Sequence, residues 1–285
     1  MPARPTLIAQ ALLDELGLVD APDVRVVAEM LGVGIEEADV VGFDGALVRV
    51  KGSADGLIAV RRTIREVGKK NFTIAHELGH LLLPGHDEST VCVEADVESW
   101  QGGLPTQELE ANEFAGELLL PTRVLEKLLA NWKPSLELIE LLSSRFSTSL
   151  TATAYRCVEV TGQACALVWS EGGVTKWFKR SEEFNHWVRL RERLDHRTFA
   201  FDCFDGAGVS GGPKSVAAEA WLTGPLPEDA RVLEHTRCMP SYAGALTLLW
   251  LPKVLDAGVS QDDEGLADLD PAEFGLRRKN WPGRK

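Results

Sequence analysis

The sequence predicts an α+β chain in two parts, one rich in helices and one rich in strands. Three observations carry this. Apolar residues recur at helical spacing from Leu7 to about Val160, interrupted by a β-like stretch between 40 and 60. After Gly162 the pattern shifts to short apolar runs, where most of the tryptophans lie. The length of 285 residues leaves room for two domains.

Taken in order, Leu7, Ile8, Ala11, Leu12 and Leu16 mark a helix over 6–19, and Val27, Ala28 and Leu31 a second one over about 23–32, ended by Gly32. The run from Val40 to Val50 reads as a strand or hairpin punctuated by glycine, and Leu57 to Val60 as another strand. Helical spacing returns from Lys70 to Leu83, where Pro84-Gly85 stops it. Residues 87–105 are acidic and irregular and read as a loop. Gln107 to Leu120 is a helix ended by Pro121, and another runs to about Ala130. Two or three short helices fill 134–160. The runs 164–169, 174–178 and 246–251 are strands, and 182–195 is expected to be helical. The expected domains are 1–125, a helical region at 126–160, an α/β domain at 161–255, and a partly disordered tail at 256–285.

Composition excludes several classes. No apolar run approaches the roughly 20 residues needed to span a bilayer. The start of the chain reads as an amphipathic helix and not as an export signal, so a cytoplasmic protein with no membrane partner is expected. The formal charge of −13 is the opposite of a nucleic-acid footprint, so direct DNA binding is not expected. Arg61, Arg62, Arg65, Lys69 and Lys70 form one basic run, read as a solvated face. Cys92, Cys157, Cys165, Cys203 and Cys238 are odd in number and widely spaced, with no C-x-x-C pair, and are expected to be free thiols.

The chemistry lies in His76-Glu77-Leu78-Gly79-His80. Residues i and i+4 of a helix share a face, so His76 and His80 present two imidazoles to one point. That is the spacing of a zinc-binding H-E-x-x-H, in which the glutamate is the general base. Glu77 is offset around the helix, placed to reach a water and not to share the ion. Gly79 leaves room for another element to approach.

Catalytic zinc usually has three protein ligands and an open position. Glu108 and Glu110 both open the helix that follows, and His86 lies six residues beyond His80. A histidine at that distance fits a pattern with glycine three residues after the second histidine, and here that position is Leu83. Glu108 shares a helix face with Ala111, Asn112, Ala115 and Leu119, suited to packing against the zinc helix, and Asn112 could hydrogen-bond a ligand. Glu110 shares a face with Glu113, Phe114 and Glu117, read as mostly solvated. Glu108 is favoured and Glu110 is the runner-up. Zinc is the metal expected from these ligands, with manganese as a substitute.

Asn71 to His80 together with Glu108 to Pro121 resemble the ImmA/IrrE family of metallopeptidases, and Gly42 to Leu47 resembles that family's strand before the zinc helix. The likeness covers about residues 7–160. It implies a zincin-like metallopeptidase fold for the first domain, His76 and His80 as metal ligands, Glu77 as base, and a glutamate at the head of the second motif as third ligand. Residues 134–160 are similar to a small helix-turn-helix-like region, with Thr148 where a valine is usual. The C-terminal part resembles a sensor-like, GAF-like domain that would take a small-molecule or signal ligand, although no ligand motif stands out in it.

The resemblance implies a regulatory endopeptidase whose substrate is a helix-turn-helix transcriptional repressor, cleaved to release stress-response or mobile-element genes. A strand near 43–50 could pair with an extended substrate. Two readings compete: a non-enzymatic transcriptional or partner-binding regulator with a structural zinc site, and a general peptidase on small peptides. A structural site would close with a fourth ligand and would have no use for Glu77.

Overall fold

The computed structural model describes residues 4–18, 20, 22–39, 44–49, 56–86, 89–92, 106–209 and 211–252. Of the expected loop at 87–105, residues 89–92 form a strand instead and the rest lie outside the described residues, as do the tail from 256 and residues 40–43 and 50 of the expected strand. The chain is a mixed α+β protein, and no helix among the described residues is long and apolar enough to cross a membrane.

In the N-terminal part, helices α1 (Arg4–Glu15) and α2 (Val24–Met30) precede strands β1 (Val33–Ala38), β2 (Gly45–Arg49) and β3 (Gly56–Arg61). Helix α3 (Val67–Leu82) and strand β4 (Ser89–Cys92) follow, then α4 (Thr106–Leu119), α5 (Thr122–Leu129), α6 (Leu136–Arg145) and α7 (Leu150–Val160). The sheet order is β1-β3-β2-β4, with β1 parallel to β3 and β2 antiparallel to both of its neighbours. Strand β1 was not expected. Its run Gly34-Ile35-Glu36-Glu37 hides the alternation, because two glutamates stand side by side and the half-exposed Glu37 pairs with Arg25 and Lys70. Strand β2 is paired on both sides, so it is not the edge to which an extended substrate could add.

Helix α3 is the buried axis of this part. All ten residues from Asn71 to His80 are buried, including three ionisable ones. Such a helix cannot be amphipathic in the usual sense. Gly79 permits this, since a Cβ there would stand 3.1 Å from Ala111 Cα on α4. The basic run is a solvated face only in part: Arg62 and Arg65 are exposed, but Arg61 and Lys69 both pair with the fully buried Asp44 and Lys70 pairs with Glu37. These contacts tie the start of α3 to the sheet.

The C-terminal part is a five-stranded antiparallel sheet in the order β6-β5-β11-β10-β8. Its strands are β5 (Cys165–Glu171), β6 (Val174–Arg180), β8 (Lys214–Ala217), β10 (Arg231–Met239) and β11 (Gly244–Trp250). Side chains alternate across a strand, and here both faces are covered. Cys165 and Leu167 join the main core with α7, while Ala166 and Val168 join a second cluster with Phe184 and Trp221. The two parts therefore share one core. The expected helix at 182–195 is absent: Trp187–Val188 (β7) pairs with Leu222–Thr223 (β9), and the positive φ of Arg191 breaks any helical path. Helix α8 (Phe199–Asp205) carries Cys203, which is disulfide-bonded to Cys238 on β10, contrary to the expectation of free thiols. Cys157 and Cys165 are free and buried, as expected, and burial pushes the Cys157 thiol up to about 12.

Candidate metal centre

His76 and His80 are one helical turn apart on α3 and fully buried. Their Nε2 atoms are 3.1 Å apart. Glu108, in the first turn of α4, brings Oε2 to 3.1 Å from His76 Nε2 and 3.4 Å from His80 Nε2. These three residues form the one group among the described residues whose ligand atoms converge as a metal site would require. The donor set also fits the size of an ion. Ligands at the usual zinc distances in a tetrahedron lie about 3.3 Å from one another.

The atoms behind the ligands fix the tautomers. His76 Nδ1 is 2.9 Å from Asn112 Oδ1, which can only accept, so Nδ1 carries the hydrogen and Nε2 turns a lone pair to the centre. Asn112 thus does what its place on the Glu108 face suggested. His80 Nδ1 meets His86 Nδ1 at 2.9 Å, and His86 Nε2 is 3.0 Å from Glu110 Oε2. If His80 offers Nε2 to an ion, its Nδ1–H donates to His86, and His86 then donates Nε2–H to the Glu110 carboxylate. One chain of bonds therefore links Glu110, His86 and His80.

The competition among Glu108, Glu110 and His86 resolves into a division of places. Glu108 stands at the centre, and His86 and Glu110 stand behind His80. The face of Glu110 is not solvated, contrary to expectation. Phe114 and Glu117 on it are fully buried. Glu117 accepts hydrogen bonds from Arg156, Gln10 and Thr122, which staples α1, α4, α5 and α7 together. No sequence motif announced that role.

Burial raises the Glu108 carboxyl, but the hydrogen bonds and charges of His76 and His80 outweigh it and hold it down at about 2. It is a carboxylate at neutral pH, as a metal ligand must be. Glu77 is also fully buried, on the side of α3 that faces β2. A Cβ at Gly45 would stand 2.7 Å from Glu77 Oε1, so the start of β2 forms the wall behind this carboxylate. Glu77 is not among the three converging residues, as its offset around the helix predicts.

Residues 28–158 match the model of the IrrE N-terminal-like domain, a peptidase family. No curated protein matches the chain. Among solved structures, the chain is similar to a Mycobacterium tuberculosis transcriptional regulator, with a TM-score of 0.52 at 16% identity, covering 92% of this chain and 82% of that one. At that identity the likeness is one of fold alone. His76, Glu77, His80, Glu108 and the residues behind them all fall inside residues 28–158, the span that matches the IrrE N-terminal-like domain model.

Proposed function

We propose that the chain is a metal-dependent endopeptidase, with zinc as the metal expected from its ligands, and that it cuts a helix-turn-helix transcriptional repressor and so relieves repression of stress-response or mobile-element genes. The observation that carries this is the convergence of His76, His80 and Glu108 beside a buried Glu77 that does not join them. Three ligands and a separate carboxylate are the requirement of hydrolysis.

His76, His80 and Glu108 would hold the ion. When bound, it supplies Lewis acidity that lowers the pKa of water and polarises a carbonyl. Asn112 and His86 keep the imidazoles turned the right way. Glu77 takes a proton from the attacking water as its oxygen bonds to the scissile carbonyl carbon. It then passes that proton to the amide nitrogen as the C–N bond breaks.

A second reading, a non-enzymatic transcriptional regulator with a structural metal site, draws support from the fold likeness to a transcriptional regulator. It calls for a fourth ligand, and His86 approaches His80 at the nitrogen turned away from the centre. Co-expression with helix-turn-helix repressors from the same genome separates the two. Cleavage by the wild-type chain and none by Glu77→Gln is expected. Equal cleavage by both, or intact repressor with both, rejects the peptidase reading.

A further inference from the structure

A cavity of about 520 Å³ lies between the start of α3 and the C-terminal sheet, apart from the metal centre. Four aromatic residues stand in its walls, Phe72 from α3, Trp169 from β5, Trp177 from β6 and Tyr242 beyond β10, beside Lys69, Met239, two glutamates and the start of α7. The volume lies within the 300–1,000 Å³ typical of small-molecule sites.

Two features make this a built site. Trp169 and Trp177 are direct cross-strand partners, so their indoles stand side by side on one face of the sheet. The ring of Trp169 lies across Gly244, where a Cβ would come within 2.2 Å of it, so glycine is what lets this indole lie against the sheet. The rim is polar. The Tyr242 hydroxyl donates to the Glu66 carboxylate, and both groups line the cavity.

We infer that this cavity binds a small planar heteroaromatic molecule, stacked on Trp169 and Trp177 with its polar edge toward Lys69 and Glu66. Flat rings at two walls favour a flat ligand, since stacking needs only a π face. A folded peptide segment is too large for the volume, and an acyl chain would leave the polar rim unmatched. The position suggests an effector site. Lys69 pairs with the buried Asp44 at 3.2 Å, and Asp44 precedes Gly45, the wall behind Glu77. Phe72 lies one helical turn before His76. A ligand that shifts Lys69 or Phe72 therefore acts on the helix of the metal centre. This regulatory consequence rests on the peptidase reading, whereas the binding itself does not.

The test is fluorine NMR of the full chain labelled with 5-fluorotryptophan, with caffeine and adenosine as probes and signals assigned by Trp→Phe variants. Saturable shifts of the Trp169 and Trp177 signals are expected with at least one probe, while the other tryptophans stay unmoved. Trp177→Leu should weaken binding roughly tenfold or more, as should Tyr242→Leu, which alters a partly exposed rim residue. Glu77→Gln should leave binding unchanged. No shift at millimolar probe, or equal shifts at all tryptophans, overturns the inference. Binding without any effect on repressor cleavage would refute the effector role alone.

Discussion

His86 Nδ1 lies 2.9 Å from His80 Nδ1, on the side of that ring turned away from the point where His76, His80 and Glu108 converge. Residues in that position typically tune metal affinity by 10–100-fold. A ranking follows. Glu108→Ala should abolish stoichiometric zinc binding, His86→Ala should weaken it by about 10–100-fold, and Glu110→Ala should cost less than either. Competition against a zinc chelator measures all three. Equal losses for His86→Ala and Glu108→Ala would make His86 a ligand.

Gly45 separates metal binding from base placement. A Cβ there would stand 2.4 Å from Thr73 Cγ2 and 2.7 Å from Glu77 Oε1. Thr73 is buried and β-branched, so it cannot swing away, and Glu77 must yield. Gly45→Ala should keep full zinc content, cost roughly 1–3 kcal/mol of stability from overpacking, and lower repressor cleavage through kcat. Loss of zinc in parallel with activity would contradict this account.

Much of the site was legible because it follows from helical spacing. His76 and His80 share a face at i and i+4, and Glu108 and Asn112 do so on the next helix. What escaped were contacts between residues distant in sequence. Glu117 and Arg156 are 39 residues apart, and only the packing of α4 on α7 makes them a buried pair. The disulfide partners Cys203 and Cys238 lie in elements that no spacing rule connects. The helix expected at 182–195 failed because its local pattern was outweighed by pairing with Leu222 and Thr223. Strand β1 was hidden in part by Glu37, whose partner Lys70 lies 33 residues along the chain.

The Glu117–Arg156 pair should behave as a buried ion pair. Glu117 is fully buried and Arg156 nearly so, at 2.7 Å. Glu117→Ala strands the guanidinium, although Glu159 and the Leu120 carbonyl still hold it. A loss of about 3 kcal/mol is expected, the low end for breaking such a pair. The double variant Glu117→Leu/Arg156→Met should recover a good part of this, because no charge is left buried alone. Urea denaturation of Glu117→Leu, Arg156→Met and the double variant measures the coupling, and a double variant as unstable as the sum of its singles would reject it.

His235 gives the fold a pH dependence of definite sign. Helix α6 receives no side-chain cap from its N-cap Ser135, and the Leu136 amide donates instead to Nδ1 of His235 on β10, at 3.0 Å. That bond needs neutral imidazole. Burial lowers the His235 pKa, with Glu137 opposing the shift and Arg237 adding to it. A group with a depressed folded-state pKa binds its proton more readily when unfolded. Its contribution is therefore complete above the ordinary imidazole value of about 6.5, and it is lost as the pH falls from there through the folded-state value. His235→Asn keeps an acceptor near the Leu136 amide and removes the titration. Denaturation midpoints between pH 5 and 8 should fall with acid in the wild type and fall less steeply in His235→Asn. Parallel slopes in the two proteins would show that the joint between α6 and the C-terminal sheet does not titrate through His235.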